Sequence, residues 1–195
     1  MKIAIIDYGA GNIQSIEFAL ERLGYRAEFT KDEAVIRAAD RVIFPGVGEA
    51  SSAMNKLRAT GLDKVIPELT QPVLGICLGM QLMCGSNEEG PTQGLGIFDS
   101  PVVRFSDRVK VPQIGWNQIE QLETKLFSGI QTASYVYLVH SYYVPLGPWT
   151  IASSSYDLAY SSALNKNNFY GVQFHPEKSS QVGAQIIQNF LTQCE

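Results

Sequence analysis

Pro72-Val-Leu-Gly-Ile-Cys-Leu-Gly-Met-Gln81 is the stretch that decides how this chain of 195 residues is read. Val73, Leu74 and Ile76 make a short apolar run of the kind found in an inner strand of a parallel sheet. Cys77 follows at once, with Gly75 and Gly79 two residues to either side. G-x-C-x-G is the pattern of a nucleophile elbow, a sharp strand-to-helix turn, with sulfur in place of a serine hydroxyl. The elbow residue sits in a strained backbone conformation, and glycines at minus two and plus two let strand and helix approach. Such a turn exposes the thiol at the carboxyl end of the sheet. It also sets the thiol over the N-terminus of the next helix, whose partial positive charge favours a thiolate. An isolated cysteine is usually a small buried hydrophobe. The flanking glycines and the strand-turn-helix setting point instead to a nucleophile.

On the N-terminal side, residues 2–7 read as a strand and 13–23 as an amphipathic helix. Ile13, Ile16, Phe18, Leu20 and Leu23 supply its apolar positions, and Gly24 ends it. A second strand is expected over 26–30, a short helix over 32–39, and a third strand over 41–44 that ends in Pro45-Gly-Val-Gly48. A helix over 50–59 stops at Gly61, and the helix after Cys77 runs to about residue 83. This alternation over the first 85 residues predicts a parallel, doubly wound α/β sheet. From residue 94 to 170 the pattern changes to short β-rich runs at 97–98, 102–104, 119–122, 135–139, 150–154 and 158–163. These read as mixed or antiparallel strands. One more strand at 169–174 and a terminal helix over 179–194 close the chain. Residues 1–195 are therefore expected to form one α/β domain, with a mixed, mostly parallel central sheet flanked by helices.

Composition narrows the function. Hydrophobic residues make up 45% and charged residues 17%, as in an ordinary globular protein. The net charge of −4 comes with no basic cluster, so no nucleic-acid partner is expected. No apolar run approaches the roughly 18–20 residues of a membrane span, and Met1-Lys-Ile-Ala-Ile-Ile-Asp7 reads as a first strand, not a signal peptide. Cys77, Cys84 and Cys194 are odd in number and lack C-x-x-C spacing, which predicts a reducing cytoplasm rather than disulfides or zinc. With two histidines in the chain, neither a metal centre nor a cofactor is expected.

A thiol nucleophile needs a base to take its proton and return it to the leaving group, and the base needs an orienter. His175-Pro-Glu177 follows the last strand. In extended backbone, residues two apart point to one side, so Glu177 can orient His175. A thioester-forming enzyme also needs donors for an oxyanion. Pro45-Gly-Val-Gly48, at the carboxyl edge of the sheet, has glycines that let backbone N–H groups approach a ligand.

With these motifs in place, the chain resembles the triad-type, class I glutamine amidotransferases. They share an elbow like Gly75-Ile-Cys-Leu-Gly-Met-Gln81, an oxyanion strand ending like Pro45-Gly-Val-Gly48, and a terminal His-Pro-Glu. Asp7-Tyr-Gly-Ala-Gly-Asn12, Ile114-Gly-Trp-Asn117, Val139-His-Ser-Tyr142 and His175-Pro-Glu-Lys-Ser179 are similar to the branch whose glutaminase subunits serve imidazole glycerol phosphate synthesis, in histidine biosynthesis. The resemblance implies a flavodoxin-like fold. It implies that Cys77 attacks the side-chain amide of L-glutamine, that His175 is base and acid, and that Glu177 orients it. It also implies oxyanion donors at Leu78 and the Gly46–Val47 peptide, and glutamine held by Gly48, Gln81, Glu89, Ser141 and Tyr142. Glu88 beside Glu89 leaves that position open to either acid. The implied partner is a cyclase of (β/α)8 barrel fold in a heterodimer, met by Asn12, Trp116, Tyr137 and Lys178. Trp116, in what reads as a loop, is expected either there or in the core.

One position departs from the pattern: Gln113 stands where the branch commonly has His, in Pro112-Gln-Ile-Gly-Trp-Asn117. Relatives that feed ammonia to other synthases, such as those aminating surface sugars, share most of these motifs and form the alternative. His140 is expected to be a hydrogen-bonded group at a strand end or a wall of the site. A dinucleotide site at Gly9-Ala-Gly11 fails for lack of a third glycine at Gln14 and of an acid near Phe29-Thr30. A Cys-His-Glu peptidase is disfavoured by Gln81 and Ser141-Tyr142, and a non-catalytic binding subunit by the intact triad.

Overall fold

The computed structural model describes residues 1–9 and 13–194. In chain order β1 (Ile3–Ile6), α1 (Ile13–Arg22), β2 (Glu28–Thr30), α2 (Glu33–Arg37), β3 (Arg41–Phe44), α3 (Ala50–Thr60), α4 (Leu62–Val65), β4 (Val73–Ile76) and α5 (Leu78–Leu82) alternate as the pattern requires. There follow β5 (Cys84–Asn87), β6 (Thr92–Gln93), β7 (Phe98–Arg104), β8 (Gln113–Ile119), β9 (Ser134–His140), β10 (Tyr142–Pro145), β11 (Thr150–Tyr156), β12 (Leu158–Lys166), β13 (Phe169–Val172) and α6 (Ser180–Thr192). Local chemistry sets the boundaries. Asp32 caps α2 by accepting from the Ala34 N–H at 2.8 Å, which satisfies an orphan donor of the first turn. Gly61 closes α3 in the left-handed region, at φ 74°.

β2-β1-β3-β4-β13 form a parallel ladder. Every residue of β1, β4 and β13 is buried, as befits strands covered on both faces. Ile16, Ala19 and Leu20 of α1 and Ile186, Ile187 and Phe190 of α6 pack on one face. Ile36 of α2 with Met54 and Leu57 of α3 packs on the other. Beyond β13 the sheet turns antiparallel through β12 and β10 to β7, with β11 on β12, and ends in β5 and β6. β8 and β9 pair antiparallel in a separate ribbon. Among the described residues, no helix is long and apolar enough to cross a membrane.

Several expectations need correction. Phe18 lies on the outer side of α1, half exposed, so the buried stripe is narrower than the sequence periodicity suggests. Phe98 and the run at 102–104 belong to the one strand β7, which starts after Ile97 and passes through Pro101. The strand expected at 119–122 lies earlier, as β8, and Glu120 keeps only an isolated bridge to Ser153. Trp116 is consequently on a strand, not in a loop. β5, β6 and β10 were not anticipated.

Candidate active site

Cys77 caps α5 with φ 53° and ψ −110°, the strained conformation expected of an elbow. Its N–H donates to the Val172 carbonyl at 2.8 Å, so the β4–β13 ladder continues up to the elbow. The two glycines relieve different contacts. A Cβ on Gly75 would meet the Met80 N at 2.8 Å, within the elbow itself, whereas one on Gly79 would run into the Phe44 carbonyl oxygen of β3. A Cβ on Gly46 would meet the Gly79 N at 2.6 Å and the Leu78 Cβ at 2.8 Å. The 45–48 loop is thereby seated on the first turn of α5, and Val47 stands beside Leu78 at the cleft. Tyr8 holds this loop from below, donating from its hydroxyl to the Pro45 carbonyl at 2.9 Å. Burial and the nearby Cys77 push the Tyr8 hydroxyl's pKa up, so it stays a donor.

His175 borders the cleft together with Cys77, and its Nδ1 meets the Glu177 Oε1 at 2.8 Å. The side chains of His175 and Glu177 are 7% and 1% exposed: Glu177 is enclosed, and His175 is open only towards the cleft. Burial disfavours the imidazolium. The hydrogen bonds and negative charge offered by Cys77 and Glu177 overcome it and raise the His175 pKa to about 10. The pair does not meet through extended alternation, as the sequence suggested. His175 caps a 3-10 turn over Pro176–Lys178 that brings Glu177 back under the ring. The other carboxylate oxygen, Glu177 Oε2, is buried without a partner among the described residues, so the carboxylate is compensated chiefly by His175.

A cleft of about 360 Å³ opens above the sulfur, bordered by Cys77, His175, Val47, Gly48, Leu78, Gln81, Glu89, Ser141, Tyr142 and Lys178. Gly46 lies beneath Val47 and does not line it. All five residues expected to hold glutamine are thus brought to one hollow. Gln81 lines it with a side chain already engaged: Nε2 donates to the Tyr142 carbonyl at 3.0 Å and to the Gln173 Oε1 at 2.9 Å. Of the two acids, it is Glu89 that borders the cleft, accepting from the Ala50 N–H at the start of α3 at 3.0 Å. Burial pushes the pKa of Glu89 up, against the pull of that N–H. Glu88 points elsewhere and accepts from the Arg104 N–H at 2.8 Å.

The expected partner-facing residues lie on the neighbouring rim. Trp116 and Tyr137 are cross-strand partners in the β8–β9 ribbon, their rings edge to face at 5.9 Å. Trp116 is 52% exposed, which excludes the core alternative, and Ile114 and Tyr135 of the same ribbon are exposed as well. Lys178 stands between this face and the cleft. Asn12 lies outside the described residues.

Gln113 and His140 are buried together. The His140 Nε2 lies 3.0 Å from the Gln113 Oε1, and its Nδ1 is 2.7 Å from the Tyr142 carbonyl. His140 is therefore both a hydrogen-bonded group at the end of β9 and a wall of the cleft. The Gln113 departure sits inside the fold, not on the exposed ribbon face. Sequence reasoning missed Tyr8 and Gln173 as site residues. Their sole signals, a tyrosine after the first strand and a glutamine two residues before His175, carry no chemistry until the fold sets them against the loop and the sulfur.

A glutamine amidotransferase class-I family model matches residues 4–194. The imidazole glycerol phosphate synthase subunit HisH of Bacteroides fragilis strain YCH46 is 55% identical over 194 residues, covering 98% of this chain and 99% of that protein. The subunit of the same name from Escherichia coli K12 is 44% identical at the same coverage. Among solved structures, a GMP synthase subunit of Thermoplasma acidophilum superposes with a TM-score of 0.76 at 23% identity, covering 98% of this chain and 92% of that one. PurLQS of Thermotoga maritima gives 0.72 at 16%, covering 97% of each chain. The structural likeness extends to the fold. The sequence likeness goes further: this chain belongs to the class-I glutamine amidotransferase family, among the HisH subunits of imidazole glycerol phosphate synthase.

Proposed function

We propose that this chain is the glutaminase subunit of a two-subunit imidazole glycerol phosphate synthase in histidine biosynthesis, with the whole of residues 1–195 as one amidotransferase domain. The observation that carries the reading is the Cys77–His175–Glu177 constellation at the floor of a glutamine-sized cleft. In the first half-reaction the Cys77 thiol gives its proton to His175 and the sulfur forms a bond to the side-chain carbonyl carbon of glutamine. The resulting oxyanion is received by N–H groups of Leu78 and the Gly46–Val47 peptide. His175 passes a proton to the amide nitrogen, the C–N bond breaks, and ammonia leaves. In the second, water gives a proton to His175 and its oxygen bonds to the same carbon. The C–S bond breaks, releasing glutamate, and His175 returns the proton to the sulfur to restore the thiol. Gly48, Gln81, Glu89, Ser141 and Tyr142 form the walls that hold glutamine, with Gln81 acting through its hold on the Tyr142 carbonyl.

Ammonia is consumed by a partner cyclase of (β/α)8 barrel fold, docked on Asn12, Trp116, Tyr137 and Lys178 in a heterodimer whose overall reaction is that of a lyase. The reading places the pair in the cytoplasm, in keeping with cysteines that are free and buried. Identity of 44–55% to HisH subunits favours this partner over other ammonia-using synthases.

The test is a pair of assays on the complex with the cyclase, one fed glutamine and one fed ammonia. Cys77→Ala is expected to abolish the glutamine-dependent reaction, by about 10⁴-fold or more as for other lost nucleophiles, and to spare the ammonia-dependent one. Equal loss in both assays would contradict the assignment of Cys77.

A further inference from the structure

Gln173 is completely buried beside the sulfur and has no part in the steps above. Its Nε2 lies 3.7 Å from the Cys77 Sγ. Its Oε1 accepts from the Gln81 Nε2 at 2.9 Å. The Gln81 Oε1 in turn faces the Asn87 Nδ2 at 3.4 Å, and the Asn87 Oδ1 accepts from the Glu89 N–H at 2.8 Å.

Oxygen and nitrogen ends of a side-chain amide are assigned from their partners, and here backbone groups settle both ends of the chain. The Tyr142 carbonyl can only accept, so Gln81 must turn its NH2 group to it, and to Gln173 with the same nitrogen. Gln173 must then offer oxygen to Gln81 and an N–H to the sulfur. At the other end the Glu89 N–H can only donate, so Asn87 presents oxygen there and nitrogen to Gln81. The polarity runs one way, Asn87 to Gln81 to Gln173 to Cys77, and ends on a donor. In a dry interior such a chain strengthens its last bond. The sulfur's remaining backbone contact, with the Val139 carbonyl at 3.7 Å, is an acceptor that serves a thiol but not an anion.

We infer that Gln173 is a catalytic residue of the glutaminase, whose side-chain amide donates to the Cys77 sulfur whenever that sulfur is anionic, both as it attacks and as it leaves the thioester. The inference rests on the reading of Cys77 as the nucleophile. It adds a donor at the attacking atom, opposite in sense to the oxyanion donors at the substrate.

The test compares wild type, Gln173→Met and Gln173→Glu in three measurements at one pH. These are iodoacetamide alkylation of Cys77 by peptide mass, glutamine turnover of the complex with the cyclase, and the thermal midpoint. Gln173→Met, close in shape but without the N–H, is expected to slow alkylation and lower kcat by about ten- to a hundredfold, the size of a hydrogen bond to a charged group, with KM little changed. Gln173→Glu keeps an acceptor for Gln81 but sets a second anion by the sulfur, and should be slower still. A merely structural role gives the opposite sign, because a loosened site exposes the thiol and speeds alkylation. Alkylation at or above the wild-type rate in Gln173→Met, beside an active wild type, overturns this inference alone. A wild-type complex that yields no glutamate overturns the parent reading, and this one with it.

Discussion

His140 and His175 both border the cleft, yet their surroundings drive them in opposite directions. His175 is raised to about 10 once the partners Cys77 and Glu177 outweigh burial. His140 is lowered to about 4, first by burial and then by the charge of His175, against the favourable Tyr142 carbonyl. The two have separate pH windows. The unfolded His140 takes up a proton near 6.5 and the folded one near 4, so between these values the unfolded state binds more protons and stability falls as pH falls. The raised His175 adds stability that is complete below its unfolded value and lost as pH rises towards 10. His140→Asn, which can keep the bond to Tyr142, removes only the acid-side effect. The stability difference between wild type and this variant, measured by urea unfolding, should shift by roughly 3 kcal/mol against wild type from pH 7 to pH 4. Parallel pH curves would refute that assignment. At this scale the sequence was legible where partners are near neighbours, as in His175 and Glu177. It was silent for Tyr8 and Gln173, whose partners lie 37 and 96 residues away in the chain.

Among elements, the contact of α5 with β3 is the tightest constraint on the elbow. Gly79→Ala drives a methyl group into the Phe44 carbonyl oxygen, a backbone atom that cannot rotate away. Overpacking of this kind should lower stability by about 1–3 kcal/mol, read from denaturant midpoints. Glutamine turnover of the refolded variant should fall as well, because α5 carries Leu78. An unchanged midpoint would mean that α5 and β3 sit further apart than described. The parallel half could be read in advance because its inner strands β1, β4 and β13 are buried on both faces and appear as mostly apolar runs. The antiparallel half could not be placed as well. Cys84-Gly-Ser-Asn87 of β5 and Thr92-Gln93 of β6 have few β-branched or aromatic residues and are strands only because neighbours supply the ladder. β8 contains Gly115 and an exposed Trp116, so its register comes from pairing with β9 and not from alternation.

For the whole molecule, the exposed β8–β9 face and the cleft belong to one surface. Strand β9 connects them: its Val139 carbonyl touches the Cys77 sulfur, and its Tyr137 carbonyl accepts from the His175 N–H at 2.9 Å. Trp116→Ala should weaken binding of the cyclase by about tenfold or more, as for an aromatic anchor. It should leave the thermal midpoint of the isolated chain nearly unchanged, because the ring is half in solvent. Calorimetric titration of the two subunits checks the first half and a thermal melt of the isolated chain the second; undiminished affinity would move the docking face elsewhere. A last consequence follows from β4 and β13 lying side by side, with Val172 paired to Ile76. Synthesis runs from the N-terminus, so Cys77 leaves the ribosome long before the strand that brings His175 to it. A nascent chain holds the Cys77 thiol without His175 beside it until synthesis has passed residue 175. The proposed capacity to split glutamine thus arises only after the β8–β9 ribbon has been made, because β13 follows it in the chain.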